Sequence, residues 1–215
     1  TITLHNTPSV TTGSLVTTNA STLSTANPGT TVSIPQNAVP NILDLVVNNT
    51  NGCTFNGTTL DAVTITTGTL TLGNDVTVQG NWANSGTFIH GSRKVTFTGG
   101  NAQTISGTNN FYSIEINKSA NNVTLSNNIS VAGNFTLSSN SFAHGNRRVT
   151  FNGTTAQSIL GPASPTFYEL EINNTLGSVD LGVSTAVGTA AGGSLVLSGG
   201  RLNISSYNLT LDAGA

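Results

Sequence analysis

The residues best suited to chemistry in this chain stand in two matching stretches. "FIHGSRKVTFTG" runs from Phe88 to Gly99, and "FAHGNRRVTFNG" runs from Phe142 to Gly153, about 54 positions further on. Each supplies an imidazole, His90 or His144, and two adjacent cations, Arg93 with Lys94 or Arg147 with Arg148. An imidazole can move protons or hold a metal, and a guanidinium can grip a carboxylate or sulfate with paired hydrogen bonds. The chain has 6 Lys+Arg and 3 His among its 215 residues, so these stretches hold most of its basic chemistry. Carboxylates form the second candidate group. Glu169 and Glu171 share one face of a strand, and Glu115 aligns with Glu171. Glycoside hydrolysis needs two acids facing one groove, about 5–9.5 Å apart.

Each candidate also has a plainer reading. Phe88 and His90 are two residues apart, as are Phe142 and His144, and related segments place Leu72 and Ile204 where the histidines stand. A position that accepts Leu and Ile is inward-facing or ends a strand, so the rings are expected near a corner with their nitrogens satisfied by backbone. No Cys or carboxylate lies at ligand spacing from either histidine, which argues against a metal, and no cofactor is expected. The glutamates alternate with apolar residues and so point to solvent, with Glu115 expected near Lys118. Asp44, Asp61, Asp75, Asp180 and Asp212 are scattered, and no enzymatic activity is expected. Arg93, Lys94, Arg147 and Arg148 sit in the turn before "VTF". On a shared edge two coil rises apart, they would make a positive patch about 10 Å long. Such a patch could hold an acidic glycan or a partner's carboxylates.

These stretches belong to a longer repeat. "VTVQGNWANSGTFIHGSRKVTFTGG" from Val76 matches "ISVAGNFTLSSNSFAHGNRRVTFNG" from Ile129. The match continues through Gln103/Gln157, Phe111/Phe167, Tyr112/Tyr168 and Asn117/Asn173. It contains ten of the twelve aromatic residues, so core packing is their first expected role. Partial copies flank it at Leu43–Asn49, Val63–Val78 and Leu195–Leu211. Within each copy, apolar and polar residues alternate over four to six positions, as in "KVTFTG" and "YSIEIN". That period of two marks half-buried strands, and Gly, Asn and Ser mark the turns. No window carries a helical stripe.

Six such strands in each 54-residue repeat predict an all-β fold: a parallel β-helix, or β-solenoid, with two coils of three faces per repeat, or three shorter coils. Matching Asn and Phe positions would then stack near register, with Asn48, Asn117 and Asn173 at corners. The alternative is a tandem of immunoglobulin-like β-sandwiches, although the repeat is about half the length of such a domain. Residues 41–215 are expected to form one continuous solenoid. Residues 1–40 match less well and are read as a degenerate coil, a cap or an exchangeable strand.

Composition bounds the function. Only 7% of residues are charged, 36% are hydrophobic, and the formal net charge is −2. That balance gives no electrostatic case for nucleic acid or an anionic membrane, and no apolar run approaches membrane-spanning length. The single cysteine, Cys53, is read as a small buried apolar residue. Thr-x-Thr pairs raise ice binding, but they do not recur at one repeat position. The chain begins at Thr1 without methionine and reads as a mature chain or a segment of something longer.

The pattern "GTF…VTF-G--AQ-I-G---FY-LEIN…VTL-N-ISVAG" resembles the strand repeats of secreted cell-surface proteins of Bacteroidota-type bacteria. It is more loosely similar to filamentous-haemagglutinin-like adhesins. The resemblance spans about residues 41–215. It implies a parallel β-solenoid outside the cell and supplies no catalytic residue. The expectation is a non-catalytic extracellular stalk or adhesin segment, with surface glycans or further copies of itself as partners. The alternative is a self-assembling filament subunit.

Overall fold

The computed structural model describes residues 2–4, 22–25, 31–34, 44–139, 141–188 and 191–212. Within them the chain is all strand and turn, with no helix. Every strand pair is parallel, and each strand pairs with one roughly a coil away. The chain therefore winds as a stack of coils around one core, a β-solenoid of about nine turns. Tandem sandwiches are excluded by this parallel ladder.

Three ladders form the three faces. The first carries Trp82–Asn84, Gln103–Gly107 and Val123–Leu125. The second carries Asn109–Phe111, Ile129–Val131, Arg148–Phe151 and the start of Glu169–Leu181. The third carries Val76–Val78, Lys94–Phe97, Ser113–Ile116, Phe135–Leu137 and Gln157–Leu160. Some strands bend round a corner unbroken: Glu169–Leu181 starts on the second face and ends on the third, paired with Gln157–Leu160. One coil takes from 17 residues (Cys53 to Leu70) to 26 (Asn173 to Gly199).

Alternation within each short strand builds the core. In Val76–Val78, Lys94–Phe97 and Phe135–Leu137 the apolar residues are buried, and the Thr between them faces out. A three-residue strand offers two inward side chains, so each coil buries about six. No coil could bury them alone, and the coils above and below complete the core. Cys53 is among these buried residues, and burial pushes its thiol pKa up to about 12.

The repeat does not fit a whole number of coils. From Val76 to Leu125 there are eight strands before the pattern restarts at Ile129, where six were expected. Eight strands on three faces make two and two-thirds coils, so each copy begins one face behind its predecessor. Trp82 lies on the first face and its counterpart Phe135 on the third; Phe97 lies on the third and Phe151 on the second. The expectation that matching Phe positions stack in register is therefore corrected. What recurs is the local cluster. Trp82, Phe88 and Phe111 pack with centroids 4.8 and 5.5 Å from the Trp ring, and their counterparts Phe135, Phe142 and Phe167 pack at 5.2 and 5.3 Å. The cluster turns with the chain because three-residue strands and short turns are interchangeable between faces.

Most of residues 1–40 lies outside the described residues, including what would separate a degenerate coil from a cap or an exchangeable strand. The described strands there, Ile2–Leu4, Thr22–Thr25 and Val32–Ile34, pair in parallel like those that follow.

Candidate functional site

The His-Gly stretches are corner turns. Strand Thr87–Ile89 puts Phe88 inward and then ends. Gly91 (φ +59°) and Ser92 (φ +58°) follow, as Gly145 (+56°) and Asn146 (+55°) do in the second copy. Two positive φ values in sequence give the type I′ geometry, closed here by Arg93 N–H donating to the His90 carbonyl and Arg147 N–H to that of His144, both at 2.9 Å. Glycine is required at the first position. A Cβ on Gly91 would stand 2.2 Å from the Leu72 carbonyl oxygen, and one on Gly145 2.0 Å from that of Leu125.

Histidine completes the turn. His90 Nδ1 accepts from Ser92 N–H at 2.9 Å, and His144 Nδ1 accepts from Asn146 N–H at 3.0 Å. A backbone N–H can only donate, so each Nδ1 is bare and the proton sits on Nε2. Partial burial lowers both histidine pKa values, which favours the same neutral form. The rings lie over Tyr112 and Tyr168 of the next coil, at 5.5 and 5.9 Å. The expected backbone contact is made by Nδ1 of each ring.

The basic residues divide into two kinds. Arg93 and Arg147 are exposed, whereas Lys94 and Arg148 head strands and pair with glutamates of the next coil. Lys94 Nζ lies 2.6 Å from Glu115 Oε2. Arg148 Nε lies 2.9 Å from Glu169 Oε1, and its Nη1 lies 3.0 Å from Glu171 Oε2. The expected place of Glu115 is beside Lys118, but it pairs with Lys94 instead, diagonally across the ladder. The two clusters also fail to share an edge. Arg93 precedes a third-face strand and Arg147 a second-face strand, so the one-face slip sets them on different corners. The single 10 Å patch does not form.

Glu115 and Glu171 are held ionised. The Lys94 ammonium, with the Ser138 hydroxyl, holds Glu115 below the usual carboxylate range. For Glu171 the Ser198 hydroxyl contributes most, followed by Thr150 and Arg148. The cations are about two-fifths exposed, so each pair is worth less than about 1 kcal/mol. The direction is nonetheless testable. Both folded pKa values lie below the unfolded one, so the stabilisation is complete above the ordinary carboxylate range and is lost as pH falls through the lowered values. The urea midpoint should hold from neutrality to about pH 5 and decline below about pH 4. A Glu115→Gln/Glu171→Gln variant should flatten that decline; an unchanged decline would place its origin elsewhere.

No protein-family model, curated protein or solved structure matches this chain.

One arrangement escaped the sequence. Asn48, Asn117 and Asn173 are exposed, and the next residue in each case, Asn49, Lys118 or Asn174, is the buried one. Lys118 Nζ donates to the Thr98 and Asn101 carbonyls at 2.8 and 2.7 Å and to Gln103 Oε1. Gln103 in turn donates to the Val78 and Gly80 carbonyls of the coil before. In the next copy Asn174 Nδ2 donates to the Thr155 carbonyl and Gln157 Oε1, and Gln157 donates to Val131 and Gly133. One glutamine amide thus clasps three successive coils. The signal was present in the matched glutamines, but Lys aligned with Asn hid the shared donor role.

Proposed function

We propose that the chain is a non-catalytic structural segment of a bacterial cell-surface protein, a stalk or adhesin-type rod that displays or joins other parts. The observation that carries this reading is where the polar chemistry goes. The paired cations, the glutamates and the buried amides all tie one coil to the next, at Lys94–Glu115, Arg148–Glu171 and the Gln103 and Gln157 clasps. Glu115 and Glu171 are held below the usual carboxylate range, opposite to the raised pKa that a glycosidase acid requires. A charge-poor exterior of Thr, Ser and Asn and the strand repeats of Bacteroidota-type surface proteins support an extracellular place.

Protease shaving of intact cells that make the parent protein tests the location. An antibody to this chain should lose its signal before lysis; a signal that survives until lysis opposes the reading. A second reading, a filament subunit, starts from the edge of the last described coil, which accepts a second copy or further chain alike. Strands Ser194–Asn203 and Leu209–Leu211 are each paired on one side only among the described residues, and Leu197 and Leu211 are exposed. Such an edge accepts a further parallel strand. Negative-stain microscopy across a concentration series separates the two: fibres support the filament, and persistent single particles support the rod.

A further inference from the structure

The corner that carries Arg147 also carries a groove of about 440 Å³, which crosses three coils between the first and second faces. Its polar lining includes Thr108, Asn127, Asn128, Ser130 and Arg147, and no carboxylate belongs to it. Asn127 Oδ1 accepts from Gly107 N–H, and Asn128 Oδ1 accepts from Arg148 N–H, both at 2.9 Å. Those backbone donors fix which way each amide points. Each Nδ2 is thereby left as a donor with no protein acceptor among the described residues. Arg148 is already matched by Glu169 and Glu171, so Arg147 supplies the uncompensated charge. The lining is rich in donors and hydroxyls and holds two guanidiniums, of which only that of Arg147 lacks a carboxylate partner among the described residues.

The sister corner does not reproduce it. Asp75 stands where Asn128 does, accepting from Lys94 N–H at 2.9 Å. That carboxylate places a negative charge beside Arg93 and removes an amide donor. Asn74, in the place of Asn127, also spends its Nδ2 on the Asn56 carbonyl, so two turns with nearly the same sequence differ in how an anion is received.

We infer that the Arg147 groove binds an acidic oligosaccharide, its carboxylate or sulfate on the Arg147 guanidinium and its hydroxyls on Asn127, Asn128 and Ser130. The groove's span of about two coil rises, roughly 10 Å, suits two sugar units. The His144–Tyr168 ring pair continues the same corner and offers an aromatic surface for a further unit. This site goes beyond the structural reading and does not depend on it.

Titration calorimetry of the whole chain in about 0.1 M salt tests the site, with an oligogalacturonate, a heparin hexasaccharide and neutral cellohexaose as probes. At least one acidic probe should bind and cellohexaose should not; the acidic probe that binds identifies carboxylate or sulfate as the recognised group. Arg147→Ser should weaken binding about tenfold or more, and Arg93→Ser less than about twofold. Asn128→Asp keeps the acceptor for Arg148 N–H, so its melting curve should match the parent while binding is lost. The inference fails if neither acidic probe binds, if cellohexaose binds equally, or if Arg93→Ser and Arg147→Ser weaken binding alike.

Discussion

Trp82→Ala should lower the unfolding free energy by about 3–5 kcal/mol. Trp82 has the largest fully buried side chain of the core, and its ring meets Phe88, Phe97 and Phe111 edge-on. Coils of this size close up poorly around a void, because the strands above and below are pinned by their ladder bonds. The loss therefore combines transfer and cavity terms. The indole Nε1–H also donates to Asn109 Oδ1 at 2.8 Å, fixing the amide that caps the Ser106 and Gly107 carbonyls. Trp82→Phe should recover much of the loss, because Phe135 fills the matching place in the next cluster. Urea unfolding followed by circular dichroism measures both variants. A loss below about 1 kcal/mol for alanine would mean the cluster does not hold the coils together.

The second large effect concerns the clasp. Lys118→Met keeps a long apolar stem but removes the donor to two carbonyls and to Gln103 Oε1. One buried acceptor and two part-buried ones then lose their partner, and the expected destabilisation is about 1–3 kcal/mol. Lys118→Asn is the informative companion. Asn174 performs the same task one repeat later, so asparagine should restore part of the stability that methionine loses. If methionine unfolds at the parent's urea midpoint, the network contributes register rather than stability. If asparagine is no better than methionine, the two clasps are not equivalent.

The fold was legible because its signals are local. Alternation in "KVTF" and "YSIEI" reports which side chains point inward whatever face the strand joins, and Gly-Ser and Gly-Asn mark the corners. The phase of the repeat was not legible. Coil length varies as turns shorten or lengthen, and strands of two to five residues look alike in sequence, so eight strands read as six. That miscount alone produced the shared basic edge and the in-register aromatic stacks. At the site, the histidine turns followed from the Leu and Ile substitutions at the same position. The ion pairs did not, because Lys94 reaches Glu115 across the ladder, 21 residues away, and only the register reveals that contact. The contrast between Asp75 and Asn128 was visible as letters, but it acquired meaning only when both side chains were found accepting from the backbone of the following basic residue.

The slip of one face per repeat decides whether the two basic turns are one site or two, and a single distance tests it. Nitroxide labels would be placed at Arg93→Cys and Arg147→Cys in a Cys53→Ala background, and their separation read by double electron–electron resonance. Turns on different corners, nearly three rises apart along the axis and one face apart across it, predict a separation of about 20 Å. A separation near 10 Å, with strong line broadening, would place both turns on one edge and contradict the slipped repeat.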